Sequence, residues 1–271
     1  MPNLSNYYTD METRTVKKDW YPRGKYSYAL IFAVLQSYEY VKRQIQYMNG
    51  FMHKYPEWEV IIIDDGSEPS IISQVDLSLA KFRLRVVQSF DTRNWSQPCA
   101  RNLGAKLSGA GMLLFTDIDH AICEQAVIDT MLYKGHKLHY QRVRGVLLED
   151  GNVERSPEIL LEHHCPADRI NQRDQHYNTF AVRHWIFDLM GGYDPRFCGA
   201  YGGDDTDFSN RYSYLCRTLK RVDTSDNSEA ELIVYPDAKS DTQHLFHDIR
   251  HKIVAERRRV AEEKKKKNEK K

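Results

Sequence analysis

Two segments of this 271-residue chain decide how the rest is read: EVIIIDDGS (59–67) and GMLLFTDIDH (111–120). In each, a short apolar run ends abruptly in carboxylates. Val60–Ile63 has the composition of a strand buried on both faces, and the Asp-Asp-Gly-Ser that follows is turn chemistry. Met112–Phe115, running into Asp117-Ile118-Asp119-His120, repeats the pattern. Around these two segments, YSYALIFAVLQS (26–37) and LRVVQSF (84–90) read as further short strands. In EYVKRQIQYMNGFMHKY (39–55), Val41, Ile45, Met48 and Met52 recur at helical spacing. PCARNLGAKLSGA (98–110) reads as a helix with Pro98 in its first turn. Strands alternating with helices mean parallel α/β units. In open α/β sheets ligands bind outside the carboxyl ends of the strands, so Asp64, Asp65, Asp117 and Asp119 are expected on one functional rim.

Lys+Arg 39 against Asp+Glu 38 leaves a formal charge of +1, which gives no global argument for nucleic acid or a membrane surface. The five cysteines (99, 123, 165, 198 and 216) are odd in number and none forms a C-x-x-C pair. That argues against a disulfide framework or a cysteine-rich zinc module and for a reducing compartment. The N-terminus is polar, without the apolar core of a signal peptide, and no run approaches the ~18 apolar residues of a membrane helix. A cytoplasmic protein without a transmembrane segment is expected. Residues 1–24 read as an arm, 25–253 as one domain and 254–271 as a basic helical or disordered tail, with nine Lys/Arg and four Glu over 256–271. Between these limits AICEQAVIDTMLYKG (121–135) is helix-like, and YQRVRGVLLEDG (140–151) and YNTFAVRHWIFDLMGG (177–192) contain strands and a helix. GHKLH (135–139) reads as a surface turn and RVDTSDNSEAE (221–231) as an exposed loop.

Two constellations carry chemistry. Carboxylates at i and i+2 on a strand end can hold a hard divalent cation, which in turn holds a diphosphate, although the same pattern also serves as a turn or helix cap. GGYDPRFCGAYGGDDTDFSNRY (191–212) sets Asp204, Asp205 and Asp207 after paired glycines. Glycines permit close backbone approach to a ligand, and a carboxylate among carboxylates can serve as a general base. Asp207 lies three residues past Asp204 and is expected to cap or solvate the helix. In QHLFHDIRH (243–251), His244, His247 and His251 share a face if the segment is helical.

Taken together, EVIIIDDGS, ARNLGA, LLFTDIDH and GGYDPRF…YGGDDTDF resemble, in order and spacing, the inverting glycosyltransferases of the GT-A fold. These are the large family-2-like group, and the later motifs look closest to the β-1,4-galactosyltransferase and chondroitin-polymerase branch. The resemblance covers roughly residues 27–252 and implies an α/β fold with a mostly parallel central sheet flanked by helices. It implies a nucleotide-sugar donor, UDP above others, a glycan or other hydroxyl acceptor, and a divalent cation, Mn²⁺ or Mg²⁺. Asp64 and Asp65 would lie near the base, Trp95, Ser96 and Gln97 against the nucleotide, and Asp117 by the ribose or metal. Asp119 would bind the metal with His247, His244 being its companion. Asp205 would be the catalytic base, with Tyr201, Gly203 and Asp204 around donor and acceptor sugar.

The sequence departs from that family in four places. AVLQSYEY stands where the first-strand turn signature is expected, Asp204 replaces a glutamate, 223–231 looks like an insertion, and no run of these residues reads as the membrane anchor that animal members of that branch carry. A nucleotidyltransferase would need a Gly-rich basic loop after the first strand, and AVLQSYEYVKR has no glycine. A non-catalytic nucleotide- or sugar-binding protein on the same scaffold is disfavoured by the intact acids. No G-x-G-x-x-G follows the first strand and no G-x-x-x-x-G-K-[ST] occurs, which argues against dehydrogenase and Walker chemistry. The lysine tail is where a nucleic-acid or lipid-linked acceptor would be sought first.

Overall fold

The computed structural model describes residues 26–235, apart from positions 92, 94, 149–151, 172 and 221, together with scattered positions between 252 and 266. The arm expected over 1–24 lies outside the described residues. The first half of the chain alternates as its apolar runs require. β1 is Tyr28–Val34, α1 Tyr38–Met48, β2 Trp58–Asp64, α2 Ile71–Gln74, β3 Leu84–Gln88, α3 Gln97–Leu107 and β4 Met112–Thr116. The second half follows with β5 His120–Ala121, α4 Glu124–Leu132, β6 Lys137–Arg144, β7 Val146–Leu147, β8 Val153–Glu154 and α5 Pro157–Glu162. The described core closes with β9 Arg173–Arg183, α6 His184–Met190, α7 Asp204–Thr218 and β10 Asp226–Val234.

Eight strands form one sheet in the order β3-β2-β1-β4-β9-β6-β10-β5. β3, β2, β1 and β4 are parallel, with Val34 opposite Asp64 and Asp64 opposite Gln88, so their carboxyl ends align on one rim. β9 runs antiparallel to both β4 and β6. Phe115 pairs with Phe180, so the residues before Phe180 run out along the same rim as those after Phe115. β10 is parallel to β6, and β5 closes the edge by pairing His120 with Val234.

The apolar runs are continuous because helices cover both faces. Leu30, Phe32, Val60, Ile62 and Leu114 pack with Val41, Ile45 and Met48 of α1 on one side. Ala29, Ile31, Ile61, Ile63, Leu113 and Phe115 pack with α3, α6 and α7 on the other, through Ala100, Ala105, Phe187 and Phe208. All five cysteines are unpaired. No helix among the described residues is long and apolar enough to cross a membrane.

Two of the sequence expectations give way to the structure. The stretch 221–231 is not an exposed loop: from Asp226 onward it is β10, with Ser228, Ala230, Leu232 and Val234 buried at every second position. Two of those inward residues are small, so the alternation carries little hydrophobic signal. GHKLH is likewise not a surface turn, because Lys137, Leu138 and His139 open β6 and are buried. The Lys137 ammonium lies 4.4 Å from the Phe180 ring centre and 4.9 Å from that of Tyr212, and burial pulls its pKa down to about 7. At the described positions between 252 and 266 the chain is helical, with Ile253 buried and Glu256 3.2 Å from Arg196.

Gly104 lets α3 lie close on β1. A Cβ there would sit 2.5 Å from Ile31 Cγ2, a β-branched methyl on a central strand that has no room to move. Alanine ordinarily stabilises a helix over glycine by ~1 kcal/mol, but overpacking costs ~1–3 kcal/mol. Gly104→Ala is therefore expected to lower the thermal midpoint. A raised midpoint in calorimetry would contradict this packing of α3 on the sheet.

Candidate functional site

The aligned strand ends open into a cleft of about 1600 Å³ lined by Asp65, Asp117, Asp119, His120, Tyr201 and Asp205. The two acids after β2 have different jobs. Asp64 is fully buried and accepts the amides of Ser67 and Ile71, each at 2.9 Å, closing the Asp-Gly-Ser turn. Asp65 lines the cleft, accepts the Ser96 amide at 2.9 Å and lies 3.3 Å from the Ser89 hydroxyl. Burial pushes its carboxyl up to about 7, and Asp91 nearby adds to the rise against the lowering from the Ser96 amide.

The centre of the site is a buried cation. Arg101 of α3 has no exposed surface; its guanidinium bonds Asp117 Oδ1 and donates to Asn178 Oδ1 at 2.7 Å. It lies 3.6 Å from Asp204 Oδ2 and 5.2 Å above the Tyr193 ring. Burial works against its charge, but Tyr193, Asp117, Asp204 and Asp205 hold it protonated. Its neighbour Asn102 clamps the Tyr193 backbone, its amide donating to the carbonyl and its oxygen accepting the N–H, both at 2.8 Å. The Arg-Asn pair of ARNLGA thus ties the segment from Tyr193 to Asp204 to the strand-end rim.

That loop reaches α7 through Gly202 and Gly203, both with positive φ (98° and 88°), a backbone that side chains resist. The three acids that follow diverge. Asp205 faces the cleft and accepts the Thr206 amide at 2.5 Å. Asp204 is 5% exposed, faces Arg101 and is pushed up to about 6 by burial, with Arg101 opposing. Asp207 is not solvated: it is buried and accepts Arg211 Nε at 2.8 Å, and Arg211 in turn donates to the carbonyls of Met190 and Gly192.

Just beyond Asp117, Asp119 Oδ1 accepts His120 Nδ1 at 2.7 Å. Burial alone would raise the Asp119 carboxyl, but the adjacent His120 and His176 hold it well below the usual carboxylate range. Asp117 Oδ2 lies 3.4 Å from His176 Nδ1. Burial pulls the His176 imidazole down to about 4, so it is neutral at pH 7. Asp117, His120 and His176 each offer a ligand atom within 4.8 Å of the others, a group able to hold a metal ion.

Of the residues singled out in the sequence, Asp65, Trp95, Gln97, Asp117, Asp119, Tyr201 and Asp205 all line this one cleft. Trp95 and Tyr201 meet edge to face at 4.9 Å, and Gln97 donates to Asp117 at 3.2 Å. Ser96 is buried beneath, with its amide on Asp65. Asp64 is turned away into structural hydrogen bonds, Asp204 is turned toward Arg101 at 3.6 Å, and Gly203 serves as the N-cap of α7. His244, His247 and His251 lie outside the described residues. Arg101, Asn178 and His176 were not found by sequence reasoning.

No protein-family model matches this chain, and no curated protein matches it in sequence. Solved structures do. S. aureus TarS 1–349 aligns at TM-score 0.51 and 18% identity, over 77% of this chain and 60% of that one. Its complex with UDP-GlcNAc aligns at TM-score 0.51 and 17% identity, over 81% and 60%. The fold is GT-A. A mannosyltransferase from Pyrobaculum calidifontis, solved with GDP-Man and Mn²⁺, aligns at TM-score 0.48 and 14% identity, over 85% and 64%. This chain thus spans about 60% of the length of the TarS 1–349 structures.

Asp64 and Asp65 should respond oppositely to the same substitution. Asp64→Asn removes one acceptor from two buried amides, at a cost of ~1–3 kcal/mol. The Asp65 folded-state pKa, about 7, lies above its ordinary 3.8, so its ionisation opposes folding. With respect to this group, stability is greatest below about pH 4 and is lost as pH rises through about 7. Asp65→Asn should therefore raise the thermal midpoint at pH 8, with the gain shrinking toward pH 5, while Asp64→Asn lowers it throughout. A destabilised Asp65→Asn at pH 8 would overturn the assignment of a costly buried charge.

Proposed function

We propose that the protein transfers a sugar from a nucleotide-sugar donor, a UDP-sugar, to an acceptor hydroxyl with inversion at the anomeric carbon, and that Asp205 is the general base. The observation that carries this reading is that one cleft is lined by Asp65, just after β2, Asp117, just after β4, and Asp205, at the start of α7. The base would lie by Asp65 and Trp95, and the diphosphate along the Asp117 floor. Arg142, Arg144 and Arg169 also line the cleft, supporting a polyanionic ligand. TarS 1–349, of the same fold, is solved with UDP-GlcNAc, and UDP is the nucleotide proposed here. The Tyr-Gly-Gly-Asp-Asp run supports kinship with the galactosyltransferase and chondroitin-polymerase branch.

In this reaction an Asp205 oxygen removes the acceptor hydroxyl proton. The acceptor oxygen then attacks the anomeric carbon from the side opposite the diphosphate, and the bond to the phosphate oxygen breaks. A divalent cation held among Asp117, His120 and His176 would supply charge stabilisation of the departing diphosphate. Asp204 holds Arg101 and thereby fixes the turn on which Asp205 stands. Tyr201, edge to face on Trp95, forms a wall where the sugar would lie.

The test is a nucleotide-sugar panel scored for donor hydrolysis with Mn²⁺ or Mg²⁺, in which water stands in for the acceptor, followed by transfer to hydroxyl acceptors. With the active donor, Asp205→Asn should lower kcat by at least about 100-fold while nucleotide affinity is retained. Near-normal turnover in Asp205→Asn would remove the base and with it the inverting mechanism.

A further inference from the structure

The cation called for by the D-x-D resemblance would sit on Asp119, yet the geometry of this rim favours a different donor set. Asp119 is already engaged: its Oδ1 accepts His120 Nδ1 at 2.7 Å. That bond fixes the His120 ring and leaves Nε2 as its free nitrogen. His120 is 2% exposed, and its Nε2 has no hydrogen-bond partner among the described residues. A buried imidazole nitrogen is rarely left unpaired without a reason. A carboxylate behind one nitrogen with the other nitrogen free is the arrangement that orients a metal-binding histidine.

Three strands deliver the remaining donors. His120 sits on β5, held by pairing with Val234 of β10 and by Gln44 Nε2, which donates to the carbonyls of Ile118 and His120, each at 2.8 Å. His176 comes from β9, and its ring stacks on that of His120 at 4.8 Å. Asp117 follows β4; one oxygen is taken by Arg101 and Gln97, while the other faces His176 at 3.4 Å, too long for a strong hydrogen bond. A ligand atom from each of the three lies within 4.8 Å of the others.

We propose that Asp117, His120 and His176 form a cation site selective for a transition metal, and that Asp119 is the carboxylate that positions His120 rather than a ligand. Two imidazole nitrogens and one carboxylate oxygen suit Mn²⁺, Co²⁺ or Zn²⁺, whereas Mg²⁺ favours oxygen donors and retained water. Three protein ligands leave positions for the oxygens of a diphosphate. The role of the site in catalysis rests on the glycosyl-transfer reading, whereas its existence does not.

The experiment uses the full chain without nucleotide, read by Mn²⁺ electron paramagnetic resonance and by the visible absorption of bound Co²⁺. One equivalent of either metal should bind and should resist a hundredfold excess of Mg²⁺. His176→Ala and His120→Ala should abolish binding, with circular dichroism showing that each variant is folded. His176→Gln, a milder change at a half-buried position, should also abolish it if either alanine variant fails to fold. Asp119→Asn should weaken binding by about 10–100-fold and leave the Co²⁺ spectrum in place. Binding that survives all three histidine changes but vanishes in Asp119→Asn would overturn the proposal and return the metal to Asp119. Nucleotide-sugar turnover unaffected by chelator, with no Co²⁺ spectrum, would sink the site and spare the function. A Co²⁺ spectrum with no turnover of any nucleotide sugar would uphold the site and sink the function.

Discussion

A guanidinium with no exposed surface constrains this structure more than any other group. Arg101 must be charged, and a buried charge is tolerated only where it is surrounded by acceptors. Asp117, Asp204, Asn178 and the Tyr193 ring supply that surrounding from four separate segments of the chain. Removing one partner would leave the rest with an uncompensated charge, so the four segments move as a unit or not at all. The consequence for chemistry is geometric. Asp117 marks the strand-end floor and Asp204 the start of α7, so one cation sets the separation between the floor and Asp205. Asn102 and Arg211 secure the intervening loop from two sides, through the Tyr193 backbone and the Met190 and Gly192 carbonyls.

The sheet contributes by mixing its directions. Four parallel strands end together, and β9 enters antiparallel beside β4, so that its early residues Asn178 and His176 stand next to Asp117. β6 brings Arg142 and Arg144 to the same rim because it in turn opposes β9. The short β5 turns the chain back after Asp119 and hands His120 to the floor. A purely parallel sheet of this size would present loops there, and loops hold a ligand set less firmly than strands do.

How much of this was legible depended on where the information sat. The parallel half was readable because strands buried on both faces must be apolar throughout, as in Val60–Ile63 and Met112–Phe115. Acids that break such runs announce themselves, so Asp65 and Asp117 stood out from composition alone, whereas Asp205 was singled out by the resemblance of its glycine-rich turn. The antiparallel half was harder. β9 begins among polar residues that alternate between exposed and half-buried, and β10 buries serine and alanine where an apolar pattern would look for larger side chains. His176 lies in that quiet stretch, and only strand pairing brings it to Asp117. His120 stood beside the motif in the sequence, yet its significance depends on β5 and β10 meeting. Arg101 was visible as a letter in a helix of good helical pattern, and nothing local marks it as fully buried. Adjacent acids also hid a division of labour: Asp64 and Asp65, or Asp204 and Asp205, differ by which way a turn points them.

The central claim is that one cleft, braced by Arg101, holds a nucleotide sugar with its base toward β2 and its sugar toward α7. A structure of the full chain with UDP and Mn²⁺ tests it most directly. The account requires the uracil beside Asp65 and Trp95, the diphosphate over Asp117, and its terminal phosphate pointing toward Asp205. Nucleotide lying in the reverse direction, or bound away from this cleft altogether, would contradict it.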